Sequence, residues 1–325
     1  MTLFEIPGPT IGVCDDPELM LVHQYLMRCD PDGQRFARVL RDSIDQLLDG
    51  ENTGRFDWKE LHKTEKTHAG TLIELNLLRE FGFTSGQDMD YLIEGIEVDC
   101  KFSQKEFGWM IPPEAMDEIC LAIWADDYEE KGIWSAGLFR ADRQKLTTSG
   151  NVTKKGNRDG KYRLTKDHHT MITWLWRRQP LKENLLLHLD PLTRAKILAP
   201  KSGQKRVNEL FRHVQRRRID RNVVRTLAQQ YDYMARVRDD KDGTRARPAL
   251  REEGIIIVGD SKNHRKVAAE LGGPVPQKGE FVSFKVARAE NVEAERPSSS
   301  LDACLWVAVS KEETPDCPAP RLPSR

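Results

Sequence analysis

Two aspartates and a lysine share one face of a predicted β-hairpin in this sequence. From Ile96 to Phe102, apolar residues alternate with charged ones, among them Asp99 and Lys101. A period of two predicts a half-buried strand whose charged side chains all lie on the exposed face. Tyr91-Leu92-Ile93 predicts a second short strand, and Glu94-Gly95 suits the two-residue turn of a hairpin that joins the two strands.

The register of this hairpin predicts a metal site. If Ile93 pairs with Ile96, Asp90 lies directly opposite Asp99, where Cβ atoms are roughly 4.5–5.5 Å apart and like charges are destabilising. A divalent cation between the two carboxylates would remove that cost, because hard cations prefer oxygen ligands. Lys101 points the same way as Asp99 and could hold or deprotonate a water beside the metal. This spacing is that of a hydrolytic site.

A structural interpretation of the same residues is also open. Acidic-x-basic triplets are common on solvated strand faces, and Asp-x(8)-Asp-x-Lys alone is a loose pattern. Glu74 adds a third carboxylate within the apolar first half of a predicted helix, Gly70–Gly82. A carboxylate beside core positions costs free energy unless it is paired or metal-bound. Glu74 is therefore either a boundary residue paired with Arg or Lys or a further member of the site.

Length and composition predict an ordinary globular protein. A chain of 325 residues corresponds to about two domains. No apolar run approaches the roughly 20 residues that a membrane span needs, and Met1–Ile6 lacks the pattern of a signal peptide. The cysteines form no CxxC pair and lie at positions 14, 29, 100, 120, 304 and 317. This distribution argues against structural zinc and disulfides and favours a reducing cytoplasm.

The carboxyl-terminal part contains a basic segment with a helix-turn-helix pattern. The whole chain has net charge zero, but residues 194–251 hold 17 Lys/Arg against 6 Asp/Glu, which suggests a surface for a polyanion. The spacing predicts a helix over Gln204–Gln215 and a second helix capped by Asp220. The second helix carries side chains that read base edges, and a solvated basic face is the alternative; these side chains are Arg221, Asn222, Arg225 and Gln229.

The remaining elements predict two domains of different kinds. Helix, hairpin and two apolar strands, Glu118–Trp124 and Ile133–Phe139, predict an α/β domain with a mixed sheet over residues 1–176. Residues 177–182 are the predicted linker. Over 183–325, the helix pair precedes three strand-like runs, at 254–259, 280–286 and 303–309, which is the order of a winged-helix domain. The proline-rich end from about residue 310 is predicted to be disordered.

Strings of residues spread through most of the chain resemble the NaeI-type (type IIE) restriction endonucleases. The resemblance runs from about Asp30 to Val309 and is carried by the segments 61–68, 74–77, 98–102, 183–188, 206–212 and 253–257. It implies a MutH-like PD-(D/E)xK nuclease domain followed by a winged-helix DNA-binding domain. It also implies a homodimer that binds two copies of its double-stranded DNA site, one cleaved and one serving as effector, with GCCGGC as the expected target.

The resemblance assigns roles to particular residues. Glu74, Asp90, Asp99 and Lys101 match the family's catalytic acids and lysine. Mg²⁺ would be held by Asp90, Asp99 and the backbone carbonyl of Cys100, with Glu74 binding a second metal or orienting water. The register of the predicted hairpin independently brings Asp90, Asp99 and Lys101 together.

The predicted DNA contacts lie in the carboxyl-terminal domain, and two other functions stay open. The predicted contacts are Arg206, Arg212, Arg216, Arg217, Arg218, Arg221, Asn222, Arg225 and Gln229. A MutH-like enzyme would nick one strand under the control of a partner. A non-catalytic winged-helix regulator would use the nuclease-like half only to dimerise, but the intact set of acids and Lys101 argues against it.

Overall fold

The protein consists of two compact units in a computed structural model that describes residues 15–127, 132–148, 160–240, 242–289 and 296–323. Unit 1 comprises the residues up to Leu47 together with Asp57–Asn184. Unit 2 comprises Leu48–Phe56 and the chain from Leu185 onward. The short segment Leu48–Phe56 therefore belongs to unit 2 although it interrupts unit 1 in the sequence.

The secondary structure follows the chain in this order. The helices are α1 (Pro17–Cys29), α2 (Gln34–Leu48), α3 (Gly50–Thr53), α4 (Lys63–Phe81), α5 (Leu185–His188), α6 (Pro191–Leu198), α7 (Gly203–His213), α8 (Arg221–Ala228), α9 (Ala246–Arg251) and α10 (Lys262–Glu270). The strands are β1 (Thr84–Ser85), β2 (Tyr91–Ile93), β3 (Ile96–Ser103), β4 (Met110–Ile111), β5 (Ile119–Asp126), β6 (Ile133–Arg140), β7 (Thr147–Thr148), β8 (Tyr162–Arg163), β9 (Thr173–Pro180), β10 (Ile219–Asp220), β11 (Ile255–Val258), β12 (Glu280–Arg288), β13 (Ser298–Leu301) and β14 (Cys304–Ala308). Short 3₁₀ helices cover Trp58–Glu60, Pro113–Ala115, Lys166–Met171 and Tyr233–Arg236.

Unit 1 is built on a mixed sheet with the strand order β1-β2-β3-β5-β6-β9. Strands β3 and β5 are parallel, and the other neighbouring pairs are antiparallel. Helix α4 packs against β3, and α1 packs against β6 and β9. The predicted α/β architecture of this region, helices on a mixed sheet, is confirmed.

One face of the sheet carries the charged residues of β3. Parallel pairing sets Asp99 beside Cys120 and Lys101 beside Ala122. Cys120 and Ala122 belong to a buried core that also contains Trp109. Asp99 is itself only 5% exposed, so its carboxylate lies at the margin of an apolar core and not on a fully solvated strand face.

Helix α4 delivers the remaining carboxylate. It begins at Lys63, earlier than predicted, because the Glu65 carboxylate accepts the N–H of His62 (2.7 Å) and so satisfies a free donor at the helix start. It ends as predicted at Gly82, whose φ of +66° lies in the left-handed region that residues other than glycine rarely adopt. Ile73 and Leu77 are fully buried, and this apolar stripe fixes the rotation of the helix about its axis.

Unit 2 combines helices with a second sheet of order β10-β12-β14-β13, with β11 also paired to β12. Helices α7 and α8 lie where the sequence predicts them, and Asp220 caps α8 by accepting the N–H of Asn222 (2.7 Å). The apolar sides of both helices form one core with β11 and β12. The three predicted strands are confirmed as β11, β12 and β14, whereas α10, which lies between β11 and β12, was not predicted.

The structure corrects the predicted domain boundaries. The predicted linker at 177–182 is wrong, because residues up to Pro180 form the end of β9 and pair with β6. The two units meet in the sequence at Asn184–Leu185. Unit 1 also loses Leu48–Phe56, which was predicted within the nuclease domain.

The predicted disordered tail is a second correction. Residues 310–323 form no helix or strand, but Ala319 is 4% exposed and its N–H donates to the carbonyl of Arg251 (2.8 Å). The composition alone missed this because a few small apolar contacts and backbone hydrogen bonds can hold a proline-rich segment. Within the described ranges, no helix combines the length and apolar content that crossing a membrane requires.

Candidate active site and DNA-binding residues

The hairpin of β2 and β3 has the predicted register. Ile93 pairs with Ile96, and Glu94 and Gly95 between them both have positive φ, +51° and +79°. Positive φ at both turn positions is typical of the tight turns that match the twist of antiparallel strands. The same pairing brings Asp90 beside β3, where its Oδ2 accepts the N–H of Cys100 (2.6 Å).

Asp99 and Lys101 form an ion pair on the charged face of β3. The Nζ of Lys101 lies 2.5 Å from Oδ1 of Asp99. The other carboxylate oxygen, Oδ2, lies 3.7 Å from Sγ of Cys120 on the neighbouring strand. Asp99 thus has one oxygen on a cation and the other beside a buried thiol, which fixes the orientation of the carboxylate.

Glu74 completes the group of predicted catalytic residues. It is half-buried on α4, and its backbone carbonyl accepts the hydroxyl of Tyr91 (2.9 Å), which ties the helix to the start of β2. Burial raises the pKa of the Glu74 carboxyl, and the negative charge of Asp90 raises it further. The fold therefore brings Glu74 into the electrostatic field of the hairpin residues.

The charges within this group oppose one another. Burial raises the pKa of Asp99, and Lys101 only partly offsets this effect. Burial by itself would lower the pKa of Lys101, but Asp99 raises it by more, so the net shift is upward. Lys101 is therefore a charged ammonium at neutral pH. For the clustered carboxylates, burial and mutual repulsion make ionisation less favourable in free energy.

The donor set fits a hard divalent cation. Asp90, Asp99 and the carbonyl of Cys100, which lies 3.4 Å from Nζ of Lys101, supply only oxygen ligands, as Mg²⁺ prefers. A bound cation would also relieve the cost of ionising two neighbouring carboxylates. In the parts of the chain that the structure describes, no three His, Cys, Asp or Glu side chains are grouped closely enough to hold a metal ion by themselves. The candidate ligand set therefore combines two carboxylates with a backbone carbonyl oxygen.

A residue without a predicted role, Glu97, supports the loop before Asp90. Its carboxylate accepts the N–H groups of Gln87 (2.8 Å) and Met89 (2.9 Å), and these hydrogen bonds lower its pKa. A Cβ atom at Gly86 would lie only 2.3 Å from Oε2 of Glu97. The alternation of β3 already placed Glu97 on the charged face, but its backbone partners could not be read from that pattern.

Several predicted DNA contacts are engaged inside unit 2. Arg206 donates from Nε to the carbonyl of Leu227 (2.8 Å) and from Nη2 to Oε1 of Gln229 (2.5 Å). Arg212 forms a two-pronged ion pair with Glu253 (2.5 and 2.6 Å). These arginines tie α7 to other parts of unit 2.

Helix α3 covers part of the predicted reading face of α8. Arg225 forms an ion pair with Glu51 of α3. A Cβ atom at Gly50 would lie 2.2 Å from Oγ1 of Thr226, and one at Gly54 would lie 2.7 Å from Nε2 of Gln229. The sequence could not predict this contact, because the covering segment comes from a distant part of the chain.

The other predicted DNA contacts lie at the start of α8 and in the turn before it. Arg216 has a left-handed φ of +54° and donates to the carbonyl of Gly272 (3.2 Å). Arg218 lies 3.8 Å from Glu280. Arg216, Arg218 and Arg221 are exposed, whereas Arg217 and Asn222 are half-buried. The nine predicted residues therefore differ in their exposure and in how far their side chains are engaged within unit 2.

Comparison with known proteins gives two results. The model of a family described as "Restriction endonuclease NaeI" matches residues 20–316. The Type II restriction enzyme NaeI of Lentzea aerocolonigenes is 46% identical to this chain over 317 residues, which span 95% of this chain and 96% of that protein. Both similarities extend over the two units.

Proposed function

Since this chain belongs to the NaeI family of restriction endonucleases and is thus a site-specific deoxyribonuclease, we propose that it uses Mg²⁺ to cut both strands of DNA at the β2–β3 hairpin. The observation that carries this proposal is the placement of Asp90, Asp99 and Lys101. Asp90 accepts the N–H of Cys100 (2.6 Å), and Asp99 pairs with Lys101 (2.5 Å). Two carboxylates and an ammonium therefore lie around Cys100, whose carbonyl is 3.4 Å from Nζ of Lys101.

The metal ligands in this proposal are Asp90, Asp99 and the backbone carbonyl of Cys100. When bound, the cation stabilises the negative charge that develops on the scissile phosphate. Glu74, on the adjacent helix, would hold a second cation or orient the attacking water. Burial and the negative charge of Asp90 raise the pKa of the Glu74 carboxyl. A nearby cation would stabilise the ionised form of this carboxyl.

Lys101 acts in this mechanism as a donor and not as a base. Because Asp99 raises its pKa, its ammonium keeps its proton at neutral pH and can donate a hydrogen bond to the attacking water. The same positive charge lies where negative charge develops on the phosphate, which lowers the barrier. Asp99 holds the ammonium in place at 2.5 Å.

We also propose that the protein is a homodimer and that unit 2 binds a second DNA copy as effector. The basic balance of residues 194–251, with 17 Lys/Arg against 6 Asp/Glu, supports binding of a polyanion. Strand β10 between α7 and α8, and the antiparallel strands that follow, support a winged-helix arrangement. The proposed target is GCCGGC, on the basis of the resemblance to NaeI-type enzymes.

Cleavage of plasmid DNA tests the proposal. We expect the purified protein to linearise a plasmid with GCCGGC sites in Mg²⁺ but not in EDTA, and to leave a plasmid without these sites intact. Cuts at other sequences would support the nuclease activity but reject GCCGGC as its target. Nicks in one strand only would favour the MutH-like alternative. No cleavage, even with an added GCCGGC oligonucleotide, would favour the non-catalytic regulator.

The Asp99→Ala variant separates catalysis from binding. We expect it to lose cleavage and keep its affinity for duplex DNA, because the contacts of Asp99 with Lys101 and Cys120 lie within the sheet of unit 1. Electrophoretic mobility shifts of matched duplexes measure the binding. Loss of DNA binding together with cleavage would show that the active site is misassigned.

A further inference from the structure

Five exposed cations of unit 2 lie at or near the starts of three elements, α8, α10 and β12. Because α3 covers part of the outer face of α8, this area is a second candidate for contact with a polyanion. We propose that the sugar-phosphate backbone of DNA docks on a basic corner formed by Arg218, Arg221, Lys262, Arg265 and Lys278. This inference rests on the proposed function, since it names the surface through which unit 2 would hold DNA.

Backbone hydrogen bonds join the parts of the basic corner. The N–H of Arg221, at the start of α8, donates to the carbonyl of Gly279 just before β12 (2.9 Å). The N–H of Gly279 donates to Oδ2 of Asp260, just before α10 (2.8 Å). Strand β10, between Arg218 and Arg221, pairs with the start of β12. Three segments that are far apart in the sequence are thus held at one place.

The cations of the corner are available to a partner. All five are exposed, whereas Arg206 and Arg212 are half-buried and bonded within unit 2. In the described ranges, the side chains of Arg221, Lys262, Arg265 and Lys278 form no ion pair; Arg218 has a long one, 3.8 Å from Glu280. Unpaired long cationic side chains gain the most from phosphate contact, because no existing ion pair has to break.

The acids near the corner serve the backbone. Asp220 accepts the N–H of Asn222 (2.7 Å), Asp260 accepts that of Gly279 (2.8 Å), and Glu280 accepts that of Gln277 (3.0 Å). Glu280 is also buried, at 4% exposure. The five cations outnumber these three carboxylates, so the corner keeps an excess of positive charge.

The chemistry favours phosphate over base edges or an acidic peptide. Lysine supplies a point charge with rotatable donors, which suits phosphate oxygens, and the corner contains two lysines and three arginines at or near the starts of three elements. A continuous row of phosphates matches cations spread along three element starts, whereas a single carboxylate would engage only one. The corner would position DNA without reading its sequence.

The salt dependence of binding tests the corner. The parent is the full-length Asp99→Ala protein, and the variant adds Lys262→Ala, Arg265→Ala and Lys278→Ala. We expect the slope of log affinity against log salt, measured by fluorescence anisotropy with a duplex, to become shallower by about 2–3, since each lost phosphate contact removes roughly 0.9. The matched control carries Lys196→Ala, Lys201→Ala and Lys205→Ala, which are exposed on or near α6 and α7; its slope should equal that of the parent.

A second measurement avoids substitutions. DNA should protect Lys262 and Lys278 of the parent protein from acetylation, read by mass spectrometry, and leave Lys196, Lys201 and Lys205 reactive. An unchanged slope in the corner variant, an equal loss in the control, or no protection of Lys262 and Lys278 would overturn the basic corner alone. Failure of the parent to bind DNA at all would overturn the proposed function together with the corner.

Discussion

The β2–β3 hairpin and helix α8 show how differently two predicted sites depend on the rest of the fold. In the hairpin, Asp90, Asp99 and Lys101 lie close together, as their spacing indicated. On α8, the helix and its cap are where the sequence predicts them, but Arg225 and Gln229 contact α3 and α7. Position on an element is thus a local property, whereas the partner of a long side chain is not.

The difference follows from the geometry of the elements. A strand pair with a tight turn has one register, and that register fixes which side chains oppose one another. A helix presents an outer face, but any other segment can cover it. Predictions about hairpin residues should therefore concern catalysis, and those about Arg206 and Arg225, whose side chains are bonded within unit 2, should largely concern stability.

The largest expected effect comes from Asp90→Ala. We expect the single-turnover cleavage rate to fall about 1000-fold or more, because the variant lacks a proposed metal ligand at the place where charge would develop in the transition state. The control is Glu94→Ala in the same hairpin, since Glu94 only pairs with the exposed Arg28 (3.1 Å). Substantial activity in Asp90→Ala would contradict the assignment of Asp90 to the active site.

The next effect is on the stability of unit 2. Arg206→Ala should lower the free energy of unfolding by about 2 kcal/mol, because it removes charge-assisted hydrogen bonds to Leu227 and Gln229. Urea denaturation measures this loss, with Lys205→Ala on the same helix as the control. If the salt slope of DNA binding also fell by about one phosphate contact, Arg206 would be a DNA contact after all.

A smaller effect is expected from Glu97→Gln. The amide keeps one acceptor for the N–H groups of Gln87 and Met89 and loses the other. A loss of about 1 kcal/mol in holding Asp90 should raise the half-saturating Mg²⁺ concentration about fivefold while the rate at saturating Mg²⁺ changes little.

Two companions sharpen this test. Gly86→Ala should act in the same direction, since its Cβ would meet Glu97 at 2.3 Å. Glu94→Gln removes one negative charge from the same hairpin without touching the loop. An equal rise in the Mg²⁺ requirement of Glu94→Gln would mean that charge, and not the hydrogen bonds of Glu97, is responsible.

The smallest effect is expected from Glu51→Gln. Its ion pair with Arg225 involves an arginine side chain that is 49% exposed, and such pairs contribute about 0–1 kcal/mol. Thermal unfolding should therefore change little. A loss of several kcal/mol would show that the contact between α3 and α8 depends on this pair more than on the close approach of Gly50 to Thr226.

Much of the fold was predictable because it depends on local patterns. Alternation predicted β3, apolar runs predicted β5 and β6, and helical periodicity with Asp220 as cap predicted α7 and α8. The proline-rich end was mispredicted, since its backbone bond to Arg251 leaves no mark in composition. Helix α10 was missed because its exposed face is basic and its apolar side is short.

Local residue patterns are enough to specify the hairpin and the face on which Asp90, Asp99 and Lys101 lie, because a two-residue turn and a period of two leave one register. Three features depend instead on tertiary packing: Glu97 holds the loop before Asp90, Leu48–Phe56 belongs to unit 2, and Arg225 meets Glu51, 174 residues away. Such contacts depend on how whole elements pack, and a long charged side chain takes the nearest opposite charge wherever the chain brings it.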